Sequence, residues 1–194
     1  MSSALASKRW LDDVFQASLT ARRTAYEQLV DYVQRSAEVT LDEVDDTDFP
    51  TRFTITFRAA SFAPPIDELA RPAHPIPREI HTFEISLPSD YPVGAPEITW
   101  LTPIFHPNIS AGTVCLSLAS TSVIAACQAA IALAAYLTYE VRPEDFDGSG
   151  FLNLAAAAWA LSADGQKAII ESGGSPLVAR ARPQPHFFII TPIE

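Results

Sequence analysis

Four segments between residues 38 and 101 alternate polar and apolar residues, and this pattern constrains the fold more than any other feature of the chain. The first three, EVTLDEV, RFTITFRA and REIHTFEISL, are rich in Val, Ile, Thr and Phe, and EITWL follows after a turn-rich stretch. Alternation of this kind is typical of half-buried antiparallel strands. The sequence therefore predicts a four-stranded antiparallel meander.

Helical patterns flank these strands on both sides. The stretch from Ser3 to about Arg35 lacks proline and glycine, and its apolar residues recur at helical spacing. Further helical patterns cover residues 123–139, 151–161 and about 163–171, and the first of these is apolar on nearly every face. The order of a helix, then strands, then helices defines the α+β class.

The chain divides into three parts. We expect an N-terminal helical extension at residues 1–19, one core domain at residues 20–171, and a linker with an apolar C-terminal tail at residues 172–194. The tail, HFFIITPIE, is strand-like in composition. A run this apolar favours contact with protein, so we expect it either to pack on its own domain or to dock a partner.

The net charge narrows the class of partner. Thirteen basic and 23 acidic residues give a charge of −10, which repels nucleic acid and anionic membranes. The longest apolar region, residues 123–137, is interrupted by Gln128 and is shorter than the roughly 18 to 20 residues that a bilayer span needs. We therefore expect protein partners, with no nucleic acid and no membrane.

Cysteine usage bears on the compartment and on metal binding. Two cysteines are too few for a disulfide framework, and the first residues lack the long apolar core of a secretory signal. These features favour a reducing, cytoplasmic compartment. The two cysteines and four histidines show no paired ligand spacing, so we expect no metal site and no cofactor.

The segment HPNISAGTVCLSL, residues 106–118, contains the strongest candidate for chemistry. Cys115 lies in an irregular stretch that predicts a surface loop, whereas Cys127 lies among alanines in a helix and is predicted to be an inert core residue. A working cysteine must reach its thiolate form, which requires exposure and nearby donors. Cys115 is therefore a candidate nucleophile, and a small buried hydrophobe is the alternative.

Two polar residues precede Cys115 at short range. Asn108 can fold back on Cys115 across a glycine-containing turn, where its amide would donate to a developing oxyanion or hold the loop. A turn cap after Pro107 is the alternative. His106 is a candidate general base, and a buried hydrogen-bonding role is the alternative because Pro107 fixes the backbone directly after it.

The run LPSDYPVGAPEITWLTPIFHPNISAGTVCLSL resembles the ubiquitin-conjugating enzyme family. It contains a Tyr-Pro pair, a strand, His-Pro-Asn and, seven residues after the asparagine, a cysteine followed by leucine. The later run FLNLAAAAWALSADGQKAII is similar to the family's Leu-Asn-x-x-Ala-Ala helix and its short successor, so the resemblance covers residues 20–171. It implies the family's fold, with an N-terminal helix, four antiparallel strands and C-terminal helices.

The resemblance also implies an activity. Cys115 would accept the C-terminal glycine of a ubiquitin-like protein as a thioester from an activating enzyme and pass it to an amine. Asn108 would steady the oxyanion or the loop, and His106 would keep that loop in shape. Family members often place Asp or Ser opposite the cysteine to take the proton of the attacking amine, and RPEDFDGSG offers Asp147 and Ser149, with loop solvation and helix capping as alternatives.

The chain departs from the family pattern in several loops. Ser117 stands where Asp is frequent, and Ala95 replaces the first of two prolines. The tryptophan usual shortly after the cysteine is missing, and AHPIPREI replaces a Tyr-x-Gly-Gly turn. Family members use these loops to meet ligases, so the changes bear on ligase recruitment more than on thioester chemistry.

Two other classes of protein remain as alternatives. A catalytically inactive relative would be a ubiquitin-binding scaffold, although such relatives typically lack the cysteine. A cysteine hydrolase would need a histidine base. Outside the His-Pro-Asn segment only His74, His81 and His186 remain, and no hydrolase pattern surrounds them.

The basic residues bear on partners and on source. Arg22 and Arg23, in the predicted N-terminal helix, are candidates for docking the activating enzyme, with solvation of the outer helix face as the alternative. The chain has two lysines against eleven arginines, which indicates the bias of a GC-rich, bacterial genome. In a bacterium the resemblance suggests a ubiquitin-like conjugation operon of the kind associated with phage defence.

Overall fold

The elements of the structure follow the predicted order. The computed structural model describes residues 2–46, 48–66, 75–116, 120–135 and 151–175, with side chains from residue 13 onward. Helix α1 comes first and four strands follow: α1 (Ser2–Gln34), β1 (Val39–Val44), β2 (Arg52–Ala63), β3 (Ile76–Ser86) and β4 (Glu97–Trp100). A short hairpin and three helices complete the described chain: β5 (Ile109–Ser110), β6 (Thr113–Val114), α2 (Val123–Ala134), α3 (Leu154–Leu161) and α4 (Ala163–Glu171).

The sheet contains the predicted meander and two further short strands. Strands β1 to β4 pair antiparallel with their neighbours in sequence, and the full order is β1-β2-β3-β4-β6-β5. Strand β6 joins β4 through the pair Thr99 and Thr113 and through a hydrogen bond from the Trp100 N–H to the Gly112 carbonyl (2.8 Å). The α+β class and the meander are confirmed, and the hairpin extends the sheet towards Cys115.

One face of the sheet carries the core. Alternate residues of β2 and β3 point into it and are at most 1% exposed: Phe53, Ile55, Phe57, Phe83 and Ile85. Helix α1 covers this face with its second half, where Ala25 and Leu29 are buried and the Tyr26 ring stacks on Phe53 with centroids 6.4 Å apart. The apolar spacing that predicted the helix therefore marks the face that packs on the sheet.

Helix α3 fixes the segment that leads to the candidate site. The Trp159 ring lies edge-on to Phe62 at the end of β2 (centroids 4.8 Å apart) and also contacts Phe105 (5.9 Å). The Phe105 N–H donates to the Phe62 carbonyl at 2.7 Å. The residue before His106 is thus held between the end of β2 and α3.

Some predictions concern residues that the structure does not describe. Asp147 and Ser149, Ser117, and the apolar tail within residues 176–194 lie outside the described ranges. The boundary predicted at residue 19 falls inside α1, so the division into three parts stays a prediction. The helix predicted at 151–161 begins at Leu154 instead.

Candidate active site

The two cysteines lie in opposite environments. Cys115 is exposed and directly follows β6, whereas Cys127 lies inside α2 with no exposed surface. Burial raises the pKa of the Cys127 thiol to about 12, so this thiol stays protonated at neutral pH. Only Cys115 is accessible to a reagent or substrate.

The β5–β6 hairpin places Cys115 beside Asn108. Its two-residue turn, Ala111–Gly112, has a positive φ at both positions (48° and 85°), as a type I′ turn requires. A Cβ on Gly112 would lie only 3.2 Å from the Trp100 carbonyl oxygen. Ala111 has a Cβ in this left-handed region, which costs roughly 1–2 kcal/mol, so the hairpin is held by its surroundings against some local strain.

Asn108 contacts Cys115 through its backbone and its side chain. The Asn108 carbonyl accepts the Cys115 N–H at 2.8 Å, and Asn108 Nδ2 donates to the Cys115 carbonyl at 3.4 Å. The amide nitrogen carries two hydrogens, and this contact uses one of them. Among the described residues, Asn108 Nδ2 makes this one hydrogen bond, so its second hydrogen is a candidate donor to an oxygen that develops charge beside the cysteine.

The amide oxygen of Asn108 is less well satisfied. Asn108 Oδ1 is buried and has no hydrogen-bond partner among the residues that the structure describes. An unpaired buried acceptor of this kind is uncommon in folded proteins and lowers stability. Its presence favours a role for Asn108 beyond capping the turn.

His106 is fully buried and acts on the backbone. Its Nδ1 accepts the N–H of Asn108 at 3.0 Å. Burial lowers the pKa of His106 to about 3, and a backbone hydrogen bond with Leu133 of α2 acts in the opposite direction. A neutral ring with no exposed surface is poorly placed to exchange protons at Cys115, so the geometry supports a loop-holding role.

A second buried histidine is expected to make the free energy of unfolding depend on pH. His81 on β3 has no exposed surface and packs against the rings of Phe57 and Trp100, and burial is the main cause that lowers its pKa to about 4. A histidine in the unfolded chain titrates near about 6.5 and binds a proton that the buried ring does not. Above about pH 6.5 both the folded and the unfolded histidine are neutral, so neither lowers the free energy of unfolding. As the pH falls below this value, the unfolded chain gains protons first, and the free energy of unfolding drops by roughly 2 kcal/mol per histidine at about pH 5.

We expect the protein to lose roughly 4 kcal/mol of unfolding free energy between about pH 7.5 and about pH 5, and the His81→Leu variant to lose about half as much. Urea unfolding at the two pH values measures both losses. Carboxylates such as Asp45, whose pKa is lowered chiefly by hydrogen bonds from Thr51 and Arg52 that outweigh its burial, affect both proteins equally. Equal losses in the two proteins would show that His81 is not responsible.

The start of α3 bonds directly to the His-Pro-Asn loop. The N–H groups of Leu152 and Asn153 both donate to the Pro107 carbonyl at 3.0 Å. Asn153 is also the N-cap of α3, since its Oδ1 accepts the Ala156 N–H at 3.0 Å. Sequence reasoning missed this link, although an asparagine directly before an apolar helical run is a helix-start signal.

The two predicted docking arginines differ in their surroundings. Arg22 is half-buried and donates from Nη2 to the Pro88 carbonyl at 3.1 Å. Arg23 is exposed and pairs with Glu27 at 3.2 Å, one helical turn further along. Arg22 therefore bonds α1 to the loop before β4. Arg23 fits better with the alternative that it solvates the outer face of the helix.

The described ranges contain neither a metal site nor a membrane-spanning helix. No group of three or more His, Cys, Asp or Glu there is arranged to hold a metal ion. No helix in the same ranges has the length and apolar character that crossing a membrane requires.

Comparison with known proteins shows which class of fold this chain has. A family model described as ubiquitin-conjugating enzyme matches residues 72–138. The solved structure of S. cerevisiae Ubc12 superposes with a TM-score of 0.51 at 20% identity, over 89% of this chain and 91% of that one. The chain thus has the fold of ubiquitin-conjugating enzymes.

Curated relatives match over shorter stretches. Ubiquitin-conjugating enzyme E2 13 of Saccharomyces cerevisiae is 34% identical over 90 residues, which cover 46% of this chain and 58% of that protein. Ubiquitin-conjugating enzyme E2 T of Mus musculus is 42% identical over 45 residues, 23% of this chain and 22% of that protein. The chain is therefore similar to ubiquitin-conjugating enzymes over part of its length, and it spans at most 58% of the length of these two curated relatives.

Proposed function

We propose that the chain is a conjugating enzyme that carries a ubiquitin-like protein as a thioester on Cys115 and transfers it to an amine. The observation that carries the proposal is an exposed Cys115 held beside the Asn108 amide in a chain that has the fold of ubiquitin-conjugating enzymes and matches their family model over residues 72–138. In loading, the Cys115 thiolate attacks the carbonyl carbon of the modifier's thioester, and the thiolate of the activating enzyme leaves. In transfer, an amine attacks the same carbon, Cys115 leaves as a thiolate, and the amine loses a proton.

Both steps develop negative charge on the carbonyl oxygen, and Asn108 is the residue that we assign to it. Its Nδ2 already reaches the backbone of Cys115 and has a second hydrogen to donate. His106 is assigned to holding the Asn108 backbone through its Nδ1. Neither residue takes a proton in this scheme.

The attacking amine still needs a proton acceptor. We assign this role to Asp147, with Ser149 as the alternative, because the resemblance puts the loop before α3 opposite the cysteine. A carboxylate is the better acceptor at neutral pH. Discharge assays on Asp147→Ala and Ser149→Ala would rank the two residues.

The alternative functions have less support. A cysteine hydrolase needs a histidine that shares protons with its nucleophile. Both histidines in the described ranges, His81 and His106, are fully buried and have a lowered pKa, so neither suits this role. An inactive ubiquitin-binding scaffold would have no need for the exposed thiol of Cys115.

We assign docking of the activating enzyme to an exposed apolar patch formed by Val14, Phe15 and Val93, which are 49%, 61% and 82% exposed. The hydroxyl of Ser18 donates to the Tyr91 carbonyl at 2.8 Å, so the α1 turn that carries Val14 and Phe15 lies beside the loop that carries Val93. Exposed apolar clusters of this kind mark protein interfaces.

Phe15→Ala is expected to raise the concentration of activating enzyme that gives half-maximal loading by about ten-fold, because the complex loses an aromatic side chain that the partner would cover. Discharge of the preformed thioester onto free lysine should not change. Ile170→Ala is the matched control, since Ile170 on α4 is 54% exposed. Equal effects of the two substitutions would argue against the patch.

The proposed setting follows from the chemistry. A thioester on Cys115 requires a reduced thiol, so we assign the protein to a reducing, cytoplasmic compartment. A role in a bacterial ubiquitin-like conjugation system for phage defence remains a prediction. The genes encoded beside this one would test it.

Thioester formation tests the proposed function directly. The protein is incubated with ATP, a ubiquitin-like protein and its activating enzyme, taken from neighbouring genes or from the ubiquitin system. We expect an adduct on a non-reducing gel that disappears when a thiol reductant is added. If none of these pairs of modifier and activating enzyme gave such an adduct, the proposal would be contradicted.

A further inference from the structure

We infer that Asn153 is a positioning residue for transfer: by capping α3 it fixes the Pro107–Asn108 peptide group, and through this group the Asn108 amide beside Cys115. The inference rests on the proposed function, since it concerns the rate at which the thioester on Cys115 is discharged.

The Pro107–Asn108 peptide group is held on both sides. Its carbonyl oxygen accepts two hydrogen bonds of 3.0 Å, from the N–H groups of Leu152 and Asn153. Its N–H donates to His106 Nδ1, also at 3.0 Å. Three hydrogen bonds thus set the plane of the peptide from which the Asn108 side chain departs.

The same connection continues to the cysteine. The Asn108 carbonyl accepts the Cys115 N–H at 2.8 Å, and Asn108 Nδ2 donates to the Cys115 carbonyl at 3.4 Å. A continuous series of hydrogen bonds therefore runs from the first turn of α3 to the backbone of Cys115. A displacement at either end is transmitted to the other.

The side chain of Asn153 keeps the two donors in place. Its Oδ1 accepts the Ala156 N–H at 3.0 Å, and its carbonyl accepts the Ala157 N–H at the same distance. Helix α3 has only eight residues, so its first turn is a large part of the helix and depends on the cap. Without the cap this turn frays, and the N–H groups of Leu152 and Asn153 move away from the Pro107 carbonyl.

Transfer is more sensitive to this movement than folding is. An oxyanion donor must lie within about 2.7–3.1 Å of the charged oxygen, and a displacement of about 1 Å can lower a rate by roughly 100-fold. The Trp159 contacts with Phe62 and Phe105 keep the body of α3 in place when its first turn frays. Loss of the cap is therefore expected to affect the Asn108 amide while the fold persists.

A second helix cap provides the matched control. Ser162 is the N-cap of α4, where its Oγ accepts the Gly165 N–H at 3.1 Å. Asn153→Ala and Ser162→Ala each remove one N-cap, so each is expected to lower the melting temperature by roughly 2–4 °C. Ser162 also bonds to α3, since its Oγ donates to the Trp159 carbonyl at 2.6 Å, but this bond lies at the C-terminal end of the helix and not at the turn that contacts the His-Pro-Asn loop.

The experiment compares single-turnover discharge of the preformed thioester onto free lysine. We expect Asn153→Ala to slow discharge about ten-fold or more, Asn153→Ser to restore most of the rate because serine also caps helices, and Ser162→Ala to leave the rate within about two-fold of the unchanged protein. Equal rates for the two alanine variants, or no rescue by serine, would overturn the inference.

An NMR measurement separates this inference from the proposed function. In Asn153→Ala the side-chain amide signals of Asn108 and the backbone amide signal of Cys115 are expected to shift or broaden, and in Ser162→Ala they are not. If the unchanged protein forms no thioester, the proposed function fails. The NMR signals then still show whether Asn153 positions Asn108. Unperturbed Asn108 and Cys115 signals in Asn153→Ala would refute the positioning role.

Discussion

Replacing Cys115 with alanine is expected to abolish the reducible adduct completely, whereas replacing Cys127 with alanine leaves it intact. Cys115 is exposed next to the Asn108 amide, while Cys127 has no exposed surface and a pKa raised to about 12 by burial. Only the first thiol can meet a second protein and react as a thiolate. Non-reducing gels of the two variants measure this difference.

A third variant tests the chemistry of the bond. Cys115→Ser keeps a nucleophilic oxygen at the same position, so any adduct it forms is an oxygen ester, which resists thiol reductants and is cleaved by alkali. Circular dichroism confirms that each variant is folded before loading is compared. A reducible adduct on Cys115→Ala, or its loss in a folded Cys127→Ala, would contradict the assignment.

Asn108→Ala is expected to slow discharge of the thioester onto free lysine by about 100- to 1000-fold, the usual effect of losing one donor to a developing oxyanion. Loading should be affected less, because Cys115 itself stays exposed to the incoming thioester. Single-turnover assays that start from purified thioester separate the two steps.

Thr113→Ala is the control for this substitution. Thr113 is an exposed residue of the same hairpin, and its side chain has no role in the proposed transfer. Its discharge rate should match that of the unchanged protein. If Asn108→Ala discharged at that same rate, Asn108 would be a turn residue only.

The meander could be predicted from sequence because its pattern is local. The alternation in RFTITFRA corresponds to buried Phe53, Ile55 and Phe57, and REIHTFEISL behaves in the same way. The β5–β6 hairpin could not be predicted because its turn is Ala-Gly and lacks the Asn-Gly or Asp-Gly signal of a type I′ turn. Ala111 holds its positive φ because the hairpin is bonded to β4 at Trp100, which is a tertiary effect.

The candidate site could also be predicted from the sequence only in part. The pairing of Asn108 with Cys115 is a contact across one turn, so the spacing of seven residues was enough to suggest it. The choice between two roles for His106 depended on burial, which the sequence left open. The bonds from Leu152 and Asn153 to Pro107 join segments far apart in the chain, and no local pattern encodes them.

The burial of Cys127 has a consequence for oxidative damage. An exposed thiol such as Cys115 can be oxidised to a sulfenic acid, which is usually rescued by condensation with a second thiol nearby. The chain contains one other cysteine, and it is enclosed within α2 with no exposed surface. Repair of an oxidised Cys115 must therefore come from a thiol of another molecule, so recovery of the protein after oxidative stress would depend on the reduced thiols around it.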